Sequence, residues 1–410
     1  MLERSVHGHC SVVTKSSQPL QDKNNNEIIS VVTKSNQLLQ DGKQYEISSV
    51  ATKSKQPLHN GELQDAGVRE LPNWCDLPDL VLLSILKRLT SLGDFFAFGR
   101  VCKGWRLVSE FMKREYMATQ PPLLCGSTSH RDFYSWKEEK LYKKDQPALK
   151  GGMILGFSHG FLILLHESDQ RFISLVNPVR VEIMANFPLL PECLNSRYVL
   201  SHASLMSPPT SPDCLLLLSD LNFIFLCRPG DLKWAVYPRD YGRSVILCEI
   251  FFKGKVYALN DRGHILIYDP SHPPKFTFLR AKNNLLSDSI CRSSTRLADC
   301  GGELFAIQCF EYSNRRKKVK FVVHRFDFMT CEWVRLNNLG NNVLFLDSCR
   351  GAFWDDADNW GGSGNCIYYL PNTSNEEKFS VFHMKGGRVE DIFYPGPCFS
   401  SCWVFPRLCC

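Results

Sequence analysis

Short apolar runs separated by turn residues fill the chain from Leu123 to its end. Examples are GFLILLHE, EIFFKGKVYALNDRGHILIYDP and GNCIYYLPN. Apolar runs of about four to eight residues, bounded by Gly, Pro, Asn and Asp, are typical of buried strands joined by tight turns. No helical pattern intervenes between these runs. The pattern therefore predicts an all-β domain over residues 123–410.

The predicted strands follow a repeating order. A strand led by Gly, a polar turn and a strand ending in Tyr-Asp or Phe-Asp recur roughly every 40 to 60 residues, a spacing that suits propeller blades of four strands each. The roughly 285 residues available predict about six blades at this spacing. A large β-sandwich is the alternative architecture.

A helical pattern occupies residues 73–117. Asp76 and Pro78 are well placed to start a first helix, and Asp94 can cap a second after the break at TSLGD. The apolar positions recur three or four residues apart: Leu82, Ile85, Leu86, Leu89, Phe95, Phe98, Val101, Cys102 and Trp105. This spacing predicts two or three short helices.

Four further apolar residues lie off this stripe: Leu80, Val81, Leu83 and Phe96. So small a bundle has little core of its own. Helices that are apolar on more than one face indicate a protein partner. The alternative interpretation places all of these side chains in an ordinary core.

The same residues resemble a known family. LPDLVLLSILKRL, followed by Asp94 and by VCKGWR, resembles the F-box over residues 74–115. The resemblance implies docking onto a Skp-type adaptor and, through it, a cullin of a ubiquitin ligase. Carried over by position, it assigns adaptor contact or core roles to Leu77, Pro78, Leu82, Ile85, Leu86, Leu89, Val101, Cys102 and Trp105. Phe95 and Phe96 stand where aliphatic residues are more usual.

The first 72 residues have a different composition. Units beginning at Thr14, Thr33 and Thr52 repeat with a period of 19 residues and are rich in Ser, Gln, Asn and Lys. Ordering such units costs more backbone entropy than their few aliphatic side chains can offset by burial. The sequence therefore predicts a disordered tail.

Charge and cysteine content limit the class of protein. A net charge of +6 over 410 residues is mild and gives little reason to expect nucleic acid as a partner. The basic run Arg315 to Lys318 is interpreted as a solvated hairpin tip, with a nuclear localisation signal as the alternative. With no signal peptide or membrane-length apolar run, we expect the nucleus, the cytoplasm or both, and no membrane association. Most of the eighteen cysteines are predicted to be buried thiols, and Cys409-Cys410 also resembles a prenylation site.

Several motifs match patterns of catalytic or metal-binding sites. Gly156-Phe-Ser158-His-Gly160 matches the G-x-S-x-G pattern of serine hydrolases, but strand-like runs flank it where a helix should follow. Residues 355–365 hint at a calcium loop, although Trp360 occupies a ligand position and an acidic surface loop is favoured. Trp354, Trp360 and Trp403 are candidates for target contacts or for the core. No catalytic set, metal ligand set or cofactor site is predicted.

The strand-rich region also resembles a family. GFSHGFLILL, GKVYALNDRGHILIYD and the closing CWVFPRL, with the segments between them, resemble the KIB-type β-propeller of plant F-box proteins over residues 123–408. The expected fold class is thus an α + β multidomain chain: a disordered tail (1–72), a small helical F-box (73–117) and an all-β propeller (123–410). The resemblance implies a non-catalytic substrate-recognition subunit whose propeller binds an unidentified target protein. The alternatives are a hydrolase using Ser158 and an adaptor-bound protein without a degradation target.

Overall fold

The structure is a computed structural model of the 410-residue chain. It describes residues 74–126, 132–143, 152–167, 171–180, 183–184, 187–191, 200, 202–220, 222–238, 240–241, 244–270, 275–283, 285, 292–312, 318–349, 351–370, 378–394 and 401–409. These residues belong to one compact unit. The repeat of residues 14–70, and with it the predicted disordered tail, lies outside the described residues.

Three α-helices begin the described chain. They are α1 (Asp79–Leu86), α2 (Leu92–Phe98) and α3 (Lys103–Ala118), preceded by a short 3-10 helix, Trp74–Asp76. Pro78 is the N-cap of α1 and directly precedes its first helical residue, Asp79. The prediction that Asp94 caps the second helix is wrong. Ser91 is the N-cap instead, because its hydroxyl accepts from the N–H groups of Gly93 and Asp94.

Twenty-six strands follow within the described ranges, in six sheets. In chain order they are β1 (Leu123–Cys125), β2 (Asp132–Ser135), β3 (Lys140–Lys143), β4 (Gly152–Ser158), β5 (Phe161–Glu167), β6 (Arg171–Val176), β7 (Ile183–Met184), β8 (His202–Leu205), β9 (Leu216–Ser219), β10 (Phe223–Cys227), β11 (Ala235–Pro238), β12 (Asp240–Tyr241), β13 (Ser244–Phe252), β14 (Lys255–Asn260), β15 (Ile265–Asp269), β16 (Lys275–Leu279), β17 (Arg292–Cys300), β18 (Glu303–Tyr312), β19 (Lys318–Asp327), β20 (Glu332–Leu336), β21 (Asn342–Leu346), β22 (Ala352–Asp356), β23 (Cys366–Tyr369), β24 (Lys378–His383), β25 (Val389–Phe393) and β26 (Cys402–Val404).

The six sheets form a six-bladed propeller. One strand of each blade (β26, β4, β8, β13, β17 and β22) lies innermost, and residues of five of these strands line a common central cavity. The alternative of a β-sandwich is wrong, since the described strands form six sheets around one cavity rather than two packed layers. The prediction of about six blades is confirmed.

The two ends of the propeller sequence meet in one blade. β26 pairs antiparallel with β1, so the last described strand completes the sheet that β1, β2 and β3 begin. A 3-10 helix, Pro406–Cys409, follows β26 and packs against α3. The ring is therefore closed by a segment that packs beside α3.

The sixth blade departs from a simple meander. β21 pairs antiparallel with β22 on one side and parallel with β23 on the other, so its order is β22-β21-β23-β24-β25. A 3-10 helix, Ala357–Asn359, carries the chain from β22 back across the edge of the sheet. The innermost strand, β22, therefore lies in sequence between β21 and β23, which are neighbours in the sheet.

The apolar runs form buried strands, as the sequence predicted; Phe161 to Leu165 of β5, for example, are all buried. Apolar residues between neighbouring blades form the core, and ten of the thirteen described cysteines are buried free thiols. Within the described ranges, no helix has both the length and the apolar character that crossing a bilayer requires.

Candidate interaction surfaces and the central cavity

The three helices bury one apolar cluster and leave a second set of apolar side chains uncovered. The buried cluster includes Leu82, Leu86, Phe95 and Tyr116, and the rings of Phe95 and Tyr116 stack with centroids 4.2 Å apart. The exposed set comprises Trp74, Leu80, Val81, Phe96, Val101, Leu107 and Phe111, with Leu80 70% and Leu107 63% exposed. The helices therefore have a core and, separately, an apolar surface.

The exposed set partly matches the surplus expected from the sequence. Leu80, Val81 and Phe96 are exposed, as predicted, but Leu83 is half-buried against the helical core. Leu107 and Phe111 were not singled out from the sequence. They lie four residues apart on one face of α3, so an i, i+4 search for unpaired apolar residues could have found them.

The nine F-box positions divide by burial. Leu82 and Leu86 are 1% exposed and belong to the core, whereas Pro78 and Val101 are exposed. The other five are half-buried: Leu77, Ile85, Leu89, Cys102 and Trp105. Adaptor contact by these residues stays a prediction, and the two core leucines are placed to support the surface from beneath.

A polar junction fixes the helices to the first blade. At the start of α2, the N–H of Leu92 donates to Glu138 Oε1 at 3.1 Å and the N–H of Gly93 donates to the Tyr142 hydroxyl at 3.1 Å. The Tyr142 hydroxyl in turn donates to Glu138 Oε2 at 2.6 Å. Side chains of β3 and of the turn before it thus satisfy N–H groups that the helix leaves free.

The electrostatics of Glu138 agree with this role. Burial by itself raises the pKa of Glu138, but the hydrogen bonds from Ser91, Tyr142 and the Leu92 N–H outweigh burial and hold the pKa below its ordinary value. An ionised carboxylate at the N-terminus of a helix is also favoured by the helix dipole. The junction therefore prefers charged Glu138.

The GFSHG segment serves packing between blades. Ser158 ends β4, and His159-Gly160 forms the tight turn to β5, with φ of 49° and 83°. No helix follows, so the arrangement that a nucleophile elbow requires is absent at this position. The expectation that the motif lies between two strands is confirmed, and the turn belongs to the blade of β4, β5, β6 and β7.

Each conspicuous residue of the segment has a structural partner. An added Cβ on Gly156 would lie 2.4 Å from the Ala203 carbonyl oxygen of the neighbouring blade. The Ser158 hydroxyl accepts from the Leu205 N–H at 3.1 Å and lies 3.4 Å from the Leu205 carbonyl oxygen. These contacts join β4 to β8, and they engage the hydroxyl that a hydrolase would need free.

The central cavity between the innermost strands has a volume of about 280 Å³. Beside it lies Asp347, which is fully buried and accepts from the Gly351 N–H at 2.6 Å. Arg296 donates to the backbone oxygens of Asp347 and Gly351, at 2.5 and 3.0 Å. Burial raises the pKa of Asp347 to about 6, although Arg296 nearby opposes the rise.

A Cys–His–Glu arrangement in the sixth blade was also not foreseen. Cys366 Sγ lies 3.3 Å from His383 Nδ1, and His383 Nε2 lies 3.4 Å from Glu390 Oε2. However, Cys366 is 1% exposed and burial raises the pKa of its thiol, so the thiolate that acts as a nucleophile is disfavoured. The arrangement follows from the direct pairing of Cys366 with His383 across β23 and β24.

The segment 355–365 is a structural corner. The prediction of an acidic surface loop is wrong at Asp355, which is buried and forms an ion pair with Arg407. Asp356 caps the following 3-10 helix. Among the residues that the structure describes, no group of three or more His, Cys, Asp or Glu side chains is placed to hold a metal ion.

The structure also describes the three candidate tryptophans, Cys409 and part of the basic run. Trp360 and Trp403 are core residues, with Trp403 fully buried, and Trp354 is half-buried against Phe305. Cys409 is buried and its thiol donates to the Phe405 oxygen, which argues against a lipid on this residue. Of the basic run, only Lys318 is described, and it pairs with Tyr312 where β18 and β19 form a hairpin.

Comparisons with known proteins agree with the architecture. The KIB1-4 beta-propeller family matches residues 133–388, and the F-box-like family matches residues 74–111. An F-box/kelch-repeat protein of Arabidopsis thaliana is 24% identical over 337 residues, covering 77% of this chain and 88% of the relative. A second one is 23% identical over 361 residues, covering 78% of this chain and 90% of the relative.

Proposed function

Because the chain belongs to the KIB1-4 beta-propeller family of plant proteins and carries an F-box ahead of the propeller, we propose that it is the substrate-recognition subunit of a Skp-cullin-F-box ubiquitin ligase. The helices bind a Skp-type adaptor, and the propeller binds a target protein. Catalysis then belongs to other subunits, and this chain acts by raising the effective concentration of target lysines near the charged ubiquitin carrier.

The observation that carries the proposal is the exposed apolar set on the helices. Seven large apolar side chains lie uncovered within residues 74–111, although the helices already have a core. A concentration of exposed apolar side chains beyond the core is typical of a protein interface. We also propose a reducing compartment, nucleus or cytoplasm, because all thirteen described cysteines are free thiols.

The polar junction supports the same role. Tethering positions a target only if the adaptor-binding helices and the target-binding body keep a fixed geometry. The bonds from Glu138 and Tyr142 to the start of α2 provide such a connection. The contact of α3 with the C-terminal 3-10 helix provides a second one.

Affinity purification from plant cells with the proteasome blocked tests the proposal. The wild-type chain is compared with Leu80→Asp/Leu107→Asp, which changes exposed positions and spares the core. We expect the wild type to recover a Skp-type adaptor, a cullin and ubiquitinated target, and the variant to recover the target alone. Recovery of adaptor and cullin by both proteins would contradict the proposed surface.

A matched control shows whether the effect depends on the position of the two added charges. Val334→Asp/Val389→Asp places the same two charges on half-exposed apolar positions of outer propeller strands. This control should recover the adaptor like the wild type. Loss of the adaptor in the control as well would indicate a general effect of the charges rather than a helical docking surface.

A further inference from the structure

A basic crevice lies between α3 and the propeller. It has a volume of about 620 Å³ and is lined on the helical side by Glu110, Lys113 and Arg114. The propeller side includes Arg180 and Arg407. Four permanently cationic side chains therefore face one carboxylate, in a cavity within the size range of small-molecule sites.

The cations differ in how far they are already neutralised. Lys113 Nζ lies 3.3 Å from Glu110, and Arg407 is bonded to Asp355 beneath the crevice. Neither the Arg114 nor the Arg180 guanidinium has a hydrogen-bond or carboxylate partner in the part of the chain that the structure describes. Two unpaired guanidinium groups thus line one crevice, although like charges repel each other.

The fold holds these two arginines on rigid supports. Arg180 follows an Asx turn in which Asn177 Oδ1 accepts from the N–H groups of Val179 and Arg180, both at 2.9 Å. Asn177 is 4% exposed, and its Nδ2 donates to the Cys409 oxygen at 3.0 Å. Arg114 stands on a helix of sixteen residues. The crevice is therefore built from a helix and a loop anchored to the C-terminal 3-10 helix.

We propose that this crevice binds a compact, multiply phosphorylated small molecule. Guanidinium groups match phosphate oxygens in a bidentate geometry, and each phosphate group carries enough charge to offset more than one cation. A ligand with two or more phosphate groups offers separate anionic groups to the helical wall, at Arg114, and to the propeller wall, at Arg180. Such a ligand would bridge α3 and the propeller and stabilise their packing, independently of any adaptor.

Titration calorimetry of the purified full chain with sodium tripolyphosphate, at low ionic strength, tests the site. We expect one binding site, with an affinity that falls as salt is added. The double variant Arg114→Gln/Arg180→Gln should bind at least about tenfold more weakly. Arg407 is left intact because it also closes the sixth blade through Asp355.

The control removes the same two charges elsewhere. Arg335→Gln/Lys385→Gln changes exposed residues of the fifth and sixth blades that do not line the crevice. The control should bind tripolyphosphate like the wild type, and its melting temperature should rise with ligand as the wild type's does. The Arg114/Arg180 variant should show no such rise.

Two results would overturn the proposal. The first is no binding of tripolyphosphate by the wild type; binding of a doubly phosphorylated peptide by the same chain would then indicate a phosphorylated protein segment as the ligand. The second is equal weakening in both double variants, which would indicate a general effect of net charge. Circular dichroism of each variant identifies a loss caused by misfolding, and a misfolded variant is replaced by the Arg180→Lys and Arg114→Lys pair.

Discussion

Gly160 is predicted to hold the closing segment of the ring, and its substitution by alanine tests that role. The residue has a φ of 83°, and an added Cβ would lie 2.0 Å from the Leu408 carbonyl oxygen. The left-handed conformation alone costs a non-glycine residue about 1–2 kcal/mol. The clash adds about 1–3 kcal/mol for overpacking. If the C-terminal 3-10 helix moves away, the buried Asn177 side chain also loses its bond to Cys409, at about 1–3 kcal/mol.

Gly160→Ala is thus expected to lower the free energy of unfolding by about 3–6 kcal/mol. This is less than the sum of the three costs, because movement of the 3-10 helix relieves the clash when it breaks the Asn177 bond. Gly254→Ala is the matched control. Gly254 occupies the equivalent turn of the fourth blade with a φ of 73°, and an added Cβ there meets nothing within 4 Å. It should lose only the conformational cost, about 1–2 kcal/mol.

Urea denaturation of the two variants and the wild type, followed by tryptophan fluorescence, measures the difference. Trp403 is fully buried in the blade that the C-terminal strand closes, so its environment reports on closure. We expect Gly160→Ala to unfold at a clearly lower urea concentration than Gly254→Ala. Equal midpoints would refute the assignment of Gly160 to the packing of the closing segment.

Three further predictions concern charge and chemistry. Glu138→Ala should cost about 1–3 kcal/mol through loss of its bonds to α2, whereas the exposed Glu115→Ala should change the free energy of unfolding by less than about 0.5 kcal/mol. Since the folded pKa of Glu138 is lowered, this contribution is present above its unfolded pKa and should disappear as the pH falls through the folded value in acid titration. For Asp347 the pH dependence has the opposite sign, because burial raises its folded pKa to about 6. Its contribution to the free energy of unfolding is fully present below the unfolded pKa and is lost as the pH rises through 6. Asp347→Asn should therefore be more stable than the wild type at pH 7.5, by up to about 3 kcal/mol, with the difference shrinking at pH 5, and a constant difference would contradict the buried charge. Finally, a fluorophosphonate probe should leave Ser158 of the folded chain unlabelled, because the hydroxyl bonds to Leu205, and stoichiometric labelling detected by mass spectrometry would revive the hydrolase hypothesis.

Local patterns predicted the elements because the physical causes are local. The strand at Phe161–Glu167 is an unbroken apolar run between turns, and the helix at Asp79–Leu86 follows a proline and a leucine stripe. The N-cap of the second helix was misplaced by three residues. Ser91 and Asp94 are both good caps, and the choice between them depends on where the chain turns.

The rest could not be predicted because its causes are distant along the chain. Gly160 is constrained by Leu408, Asp355 is neutralised by Arg407, and Arg296 bonds to the backbone around Asp347. Each pair is separated by more than fifty residues and meets only when separate blades pack against each other or against the closing segment. For the same reason the motif at residues 156–160 matched a catalytic pattern although its glycines serve packing.

The central claim is that an adaptor covers the exposed apolar set on the F-box helices. Isothermal titration of a purified Skp-type adaptor into the full chain tests it most directly. We predict binding to the wild type, and a loss of about 2 kcal/mol or more, roughly thirtyfold in Kd, for Leu80→Asp/Leu107→Asp with the fold intact. Binding of equal strength to this variant and to the wild type would contradict the claim.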